Sequence, residues 1–216
     1  MEKIICKICS HNTKTIKDEQ FATNYYLCTN CDHIFMGEKK IILPEKEKQE
    51  YLRHNNTTEN EGYVAMFRDF IEKCIDPYQD KIKTALDFGC GPGPVLAELL
   101  KEKGFEVDIY DKYFALEKIF ENKKYDLITS TEVLEHLADP LETLKTLKKH
   151  LNKQGIIAIM TLFHPKNKEE FKKWWYRRDL THISFYTPKT FEILAEMVEM
   201  KVLKVGNKNT CVLGML

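Results

Sequence analysis

Four of the seven cysteines lie at the start of the chain, as Cys6-x-x-Cys9 and Cys28-x-x-Cys31, with eighteen residues between the pairs. Two such pairs suit a tetrahedral zinc. Each C-x-x-C makes a knuckle and the residues between them make a hairpin. Tyr26, Leu27, Ile34 and Phe35 would give this module a small core, and a unit of that size needs its metal to fold. The plainer reading is a set of reduced thiols in a ribbon that has lost its metal, or a redox pair. His11 and His33 are spare ligand candidates, although four thiolates already close such a site. The remaining cysteines, Cys74, Cys90 and Cys211, are scattered. An odd count behind an N-terminus too polar for a secretory signal argues against a disulfide framework and for the cytoplasm.

A second constellation is the run Asp87-Phe88-Gly89-Cys90-Gly91-Pro92-Gly93-Pro94. Glycines in such a turn let the backbone approach a ligand closely, and a helix beginning just after it offers unpaired N–H groups. Eighteen residues beyond Gly93 comes Asp111. At the end of the next strand of a doubly wound sheet, a carboxylate there accepts ribose hydroxyls. Taken alone, G-x-G-x-G also describes a tight strand-to-helix turn, and a nicotinamide site expects G-x-G-x-x-G.

With Asp87 ahead of the glycines and Asp111 behind them, the segment LDFGCGPGP resembles the first motif of the class I S-adenosylmethionine-dependent methyltransferases. Tyr125–His136 (YDLITSTEVLEH) resembles a later motif of the same family, and the likeness covers roughly residues 62–216. It implies that Asp87 orients the loop and the methionine ammonium. Gly89, Gly91 and Gly93 would wall the methionine moiety and Asp111 would hold the ribose. Thr131, Glu132 and Val133 would lie near the sulfonium. One departure stands out. Only thirteen residues separate Asp111 from Tyr125, where the family fits a helix, a third strand and an adenine contact. This stretch can hold one or two helical turns, and the sheet is expected to be shortened after its second strand. Tyr113 or Phe114 would then stack on the adenine.

Glu132-x-x-Glu135-His136 could hold a divalent cation from one side of a helical turn, could place His136 as a general base or substrate contact, or could be structural, with Glu135 and His136 bonding nearby backbone. A similar E-x-x-E-H occurs in ubiquinone-pathway O-methyltransferases and in small-RNA terminal methyltransferases, where it can bind a metal with a further histidine. Residues 174–186 (WWYRRDLTHISFY) contain both tryptophans and two of only four arginines. They read as a substrate wall, with Arg177, Arg178 and Tyr186 contacting the acceptor and His136 and His182 as catalytic bases. The plainer reading is a packed aromatic flap. The wording of this segment is similar to that of a bacterial group of zinc-ribbon methyltransferases of unassigned substrate.

The elements that must position these groups alternate between strand and helix. Strands are expected at 83–88, 105–110, 125–130 and 155–162, with helices at 63–75, 94–103, from Asp139-Pro140 and from Thr187-Pro188. Residues 201–205 and 210–216 read as a closing hairpin. The fold class is therefore α/β, a doubly wound Rossmann-like sheet with a terminal antiparallel hairpin and a small N-terminal zinc ribbon. The expected organisation is a ribbon at 1–43, a helical connector at 44–80 and the methyltransferase domain at 81–216.

Over its 216 residues the chain balances 33 Lys+Arg against 33 Asp+Glu, and 43% of it is hydrophobic. That composition supports a core and argues against wholesale gripping of nucleic acid or of an anionic membrane. No apolar run reaches the roughly 20 residues of a membrane span. The expected activity is methyl transfer from S-adenosylmethionine to a small or medium-sized acceptor, anionic if the arginines grip it. The alternatives are an rRNA or tRNA methyltransferase, for which 165–189 is the one locally basic stretch, and a binding module with a vestigial methyltransferase domain. Ribosomal-RNA guanine methyltransferases and sugar C-methyltransferases both combine zinc modules with this fold, so the combination does not select a substrate.

Overall fold

The computed structural model describes residues 4–53 and 57–216, so the first three residues of the N-terminal module and positions 54–56 of the connector lie outside the described residues. Strands β1 (Thr13–Asp18) and β2 (Thr23–Cys28) form the hairpin that the cysteine spacing requires, and β3 (Ile34–Met36) pairs with β2. The connector supplies α1 (Pro44–Tyr51) and α2 (Glu61–Cys74). Phe67, Phe70, Ile71 and Cys74 form the buried stripe of α2, each large apolar side chain contributing about 1.5–3 kcal/mol.

Beyond the connector come β4 (Thr84–Phe88), α3 (Val95–Glu102), β5 (Glu106–Tyr110) and β6 (Tyr125–Thr131). They are followed by α4 (Pro140–Lys149), β7 (Leu151–Met160) and α5 (Lys168–Lys173). The chain ends with β8 (Ser184–Phe185), α6 (Pro188–Met197), β9 (Met200–Val205) and β10 (Thr210–Met215). The main sheet has the order β5-β4-β6-β7-β10-β9. Its first four strands run parallel, and β10 is antiparallel to both β7 and β9. Neighbouring residues on each strand feed opposite layers, as a pleated strand requires. Ala85, Leu127, Ala158 and Val212 pack beneath α2 and α3, whereas Leu86, Ile128, Ile157 and Leu213 pack beneath α4 and α6. Both helix starts read from Asp-Pro and Thr-Pro are present: Asp139 caps α4, and Thr187 with Thr190 makes a capping box on α6.

Three details differ from expectation. The segment between Asp111 and Tyr125 contains no helix; Asp111 instead bridges Ala115. The Asp111 carboxylate takes the N–H groups of Tyr113 and Phe114, and that local turn competes with helix formation. β5 is accordingly an edge strand. β7 begins at Leu151, earlier than the apolar run suggests, so Leu151 belongs to the strand and not to the α4 stripe. Gly155 sits where a Cβ would lie 2.9 Å from the carbonyl oxygen of Tyr125. Finally, the cysteine module is not closed at residue 43. β8 pairs with β3, Ile34 against Phe185 and Phe35 against Ser184, giving a sheet of order β1-β2-β3-β8. Ile16, Tyr25, Phe171, Tyr176 and Phe185 share one apolar cluster across the two segments.

Candidate active site

The turn after β4 opens a cavity of about 970 Å³ at the carboxyl ends of the parallel strands. Gly89 has φ +87°, and a Cβ there would lie 2.2 Å from the Val133 side chain. Gly91, at φ +66°, donates its N–H to Asp111 Oδ2 at 3.1 Å. Asp87, Gly89, Gly91, Gly93, Asp111, Thr131, Glu132 and Val133 all line this cavity. Asp87 is buried and accepts the Thr129 hydroxyl at 2.8 Å. Burial first, and the nearby Asp111 charge second, push its carboxyl up to about 7. Three backbone N–H groups occupy the Asp111 carboxylate, leaving lone-pair capacity for a further donor.

One wall was not legible in the sequence. Glu47 on α1 accepts Lys112 Nζ at 2.8 Å and the hydroxyls of Tyr113 and Tyr51 at 2.6 Å each. α1 is thereby fastened to the turn that follows Asp111. Of the two adenine candidates, Phe114 lines the cavity, while the Tyr113 phenol is held by Glu47. Tyr63 on α2 also lines the cavity.

At the other end lies the turn that follows β6. Glu132 adopts φ +53°, a conformation costly for a residue with a Cβ, and Leu134–His136 forms a single 3-10 turn. This backbone breaks the helical spacing expected for Glu132, Glu135 and His136. The group that converges is Glu135, His136 and His182, whose ligand atoms all lie within 4.8 Å of one another. Glu132 is drawn to the Tyr176 hydroxyl at 3.0 Å, and that hydroxyl also contacts Glu135 Oε1. A phenol has one proton to donate, so one of the two carboxyls must be protonated to complete both contacts. Burial, then the Glu132 charge, raise the Glu135 carboxyl well above its usual range. Its Oε2 is buried without a hydrogen-bond partner.

Both imidazoles have a defined tautomer. His136 Nδ1 donates to the Thr181 carbonyl at 3.0 Å and His182 Nδ1 to that of Tyr176 at 2.7 Å. A carbonyl only accepts, so each Nε2 keeps its lone pair while the ring is neutral. The ring centroids are 4.8 Å apart, and both histidines line the cavity. Loss of surrounding water, then the neighbouring His182, push His136 down to about 3. Tyr51 stands edge-on to His136 and Asp179 lines the rim, two residues that sequence reasoning missed.

Of the substrate-wall residues, Arg178 lines the cavity and is exposed. Arg177 does not belong there. It is fully buried, bonded to Asp18, Gln20 and the carbonyls of Phe171 and Lys172, and so ties the aromatic segment to the cysteine module. Tyr186 is also misplaced as a substrate contact. It is fully buried and donates to the Leu134 carbonyl.

The four cysteine sulfurs form the second cluster of ligand type among the described residues. Cys6 and Cys31 are 3.6 Å apart, and Cys9 and Cys28 are 3.5 Å apart. Tetrahedral thiolates on zinc lie about 3.8 Å apart, given Zn–S bonds of about 2.3 Å. Backbone N–H groups of Ile8, Asn30 and Cys31 point at the sulfurs, as metal-bound thiolates favour. His33 lies outside the four-sulfur group, and its Nε2 bonds Ser184 Oγ. His11 bonds the Cys9 carbonyl.

The profile of a methyltransferase domain matches residues 56–205. The chain belongs to this methyltransferase family. It is 26% identical over 204 residues to a ubiquinone biosynthesis O-methyltransferase of Rickettsia prowazekii, covering 76% of this chain and 81% of that one. It is 27% identical over 201 residues to the N-terminal Xaa-Pro-Lys N-methyltransferase 2 of Danio rerio, covering 71% and 72%. A tRNA U34 carboxymethyltransferase of Campylobacter fetus is 46% identical over only 48 residues, 22% of this chain and 17% of that one. Among solved structures, the S-adenosylhomocysteine-bound form of CalO1, a methyltransferase in calicheamicin biosynthesis, aligns with a TM-score of 0.49 and 14% identity, covering 63% of this chain and 50% of that one. The methyltransferase is an S-adenosylmethionine-dependent enzyme, and its glycine turn and paired aspartates suit that cofactor's chemistry. A close backbone approach and two carboxylates face the cavity from the end of the sheet where nucleotides bind in doubly wound folds.

Proposed function

We propose that this methyltransferase acts on a small or medium-sized acceptor bound against His136 and His182, with Glu135 buried behind them. S-adenosylmethionine supplies an activated methyl group, and the protein's part is to align an acceptor lone pair with it. Asp87 would meet the cofactor's ammonium, Asp111 its ribose, and Glu132 and Val133 its sulfonium end. The observation that carries the acceptor reading is the convergence of one carboxylate and two imidazoles, their ligand atoms within 4.8 Å of one another, with Glu135 Oε2 buried without a hydrogen-bond partner. Carboxylate and imidazole together suit a divalent cation. Such an ion would lower the pKa of an acceptor hydroxyl. General-base catalysis by His136 is less well supported, since an imidazole held down to about 3 takes up a proton poorly near neutrality.

Arg178 at the rim supports an acceptor with an anionic group. A polyanion fits poorly. The lining carries Asp87, Asp111, Glu132 and Asp179 against Lys112 and Arg178, and Lys112 is already paired with Glu47. The two tRNA-modifying relatives match 22% and 44% of this chain, against 76% for the O-methyltransferase of Rickettsia prowazekii, and do not outweigh that charge. The cysteine cluster is proposed to hold one structural zinc, on the sulfur spacing and the N–H groups around it. No described helix is long and apolar enough to cross a membrane.

The test is a manganese titration followed by electron paramagnetic resonance. Wild-type protein should bind the ion, and Glu135→Gln and His182→Ala should lose it. Methyl-labelled S-adenosylmethionine offered with fractionated cell extract should then label the small-molecule pool, in a manner abolished by chelator and restored by the divalent ion. Label confined to RNA would sink the acceptor reading.

A further inference from the structure

His33 lies two residues beyond Cys31, yet its ring serves the other end of the molecule. Nε2 is 2.7 Å from Ser184 Oγ, and Ser184 Oγ is 2.9 Å from the Tyr186 hydroxyl. Tyr186 donates to the Leu134 carbonyl at 2.7 Å. All three side chains are shut off from solvent. The order of protons comes from counting donors. A carbonyl can only accept, so Tyr186 spends its single proton on Leu134. Ser184 must then donate to Tyr186, and His33 Nε2–H must donate to Ser184. The His33 ring is fixed between Phe35 and Tyr186, with centroids 5.5 and 5.3 Å away.

Leu134 is the first residue of the turn that carries Glu135 and His136. The carbonyl of Glu135 is also taken, by the N–H of Ile183 at 2.8 Å. Two successive carbonyls of this tight turn thus depend on residues 183–186, and the middle of that segment is β8, paired to β3 of the cysteine module. The Leu134 carbonyl also accepts the N–H of Leu137 at 3.1 Å within the turn, so the Tyr186 hydroxyl is its second donor, the one that ties the turn to the segment carrying β8. The placement of Glu135 and His136 against that segment is therefore set through Tyr186 and Ser184, whose far end is His33.

We propose that Ser184 and Tyr186, backed by His33, are positioning residues for methyl transfer. They fix the turn that presents Glu135 and His136, so the cysteine module sets the geometry of the acceptor site instead of capturing the acceptor. The inference rests on the reading that this turn faces the acceptor.

The experiment is nuclear magnetic resonance of the imidazole rings in the full chain, with signals assigned through His136→Gln and His182→Gln. Ser184→Ala and Tyr186→Phe cut the relay, and Ser184→Thr keeps its hydroxyl. Calorimetry with S-adenosylhomocysteine reports on the glycine turn and Asp111, which lie off the relay. Ser184→Ala and Tyr186→Phe should shift the His136 ring signals with no change in the dissociation constant, and Ser184→Thr should return them toward wild type. Unmoved ring signals in both cut variants would overturn the proposal. So would equal shifts in Ser184→Thr, or loss of S-adenosylhomocysteine binding in all three, which would make these residues supports of the whole fold. A wild-type protein that binds no manganese but shows the expected ring shifts would keep the relay and lose the cation reading.

Discussion

Arg177 and Asp18, 159 residues apart in sequence, form a fully buried ion pair at 2.5 Å. The guanidinium also bonds Gln20 and the carbonyls of Phe171 and Lys172. Breaking such a pair from one side leaves a charge in the interior. Arg177→Ala is expected to lower stability by about 3–5 kcal/mol, read by denaturant unfolding. Because Arg177 is off the cavity, S-adenosylhomocysteine affinity measured well below the unfolding transition should stay at its wild-type value.

Asp87 sets a pH dependence for the cofactor. In the free protein its carboxyl is raised to about 7 by burial, and the cofactor's ammonium needs the ionised form. Affinity should fall by about tenfold per pH unit as pH drops below that value and level off above it. Asp87→Asn should bind weakly at every pH, with the slope gone. Calorimetry with S-adenosylmethionine across this range checks the sign, and a flat wild-type profile would remove Asp87 from the ammonium.

The sequence made the alternation of strands and helices legible because periodicity and Gly, Pro and Asp-Pro boundaries are local signals. Cavity-lining residues carried by strand ends, such as Asp87 and Asp111, were legible for the same reason. The acid–histidine group was only half legible. Helical spacing favoured Glu132, Glu135 and His136, but a positive φ at Glu132 turns that residue aside and His182 enters from a distant loop. Glu47 sat in a charged connector with nothing to mark it, since its three partners are assembled only by folding. β8 is two residues long and pairs with a strand some 150 positions earlier, so no window of sequence could show it.

Asp111 is expected to matter twice. Asp111→Ala should weaken S-adenosylmethionine binding by about 1.5–3 kcal/mol, the scale of hydrogen bonds to a charged group. Asp111→Asn should cost a comparable amount, because a side-chain amide nitrogen cannot accept the Gly91 N–H that Oδ2 now takes. An unchanged dissociation constant in both variants would put the ribose elsewhere.

Metal analysis should find about one zinc per chain, and Cys28→Ser should release it. The shared sheet carries the effect of that loss beyond the module. Hydrogen exchange should quicken in residues 176–186 as well as in the module, while β4, β6 and β7 stay protected. Exchange confined to the module would show that β8 holds its place without β3.

The missing strand beyond β5 has a consequence for the molecule's solubility. An edge strand presents unpaired N–H and C=O groups that can recruit a strand from another copy. β5 is short, at five residues, and alternates charge with apolar side chains through Glu106 and Asp108. Lys123 Nζ reaches Asp108 at 2.8 Å and brings the loop that follows β5 back toward this edge. Two acids and a lysine thus guard the edge against self-association.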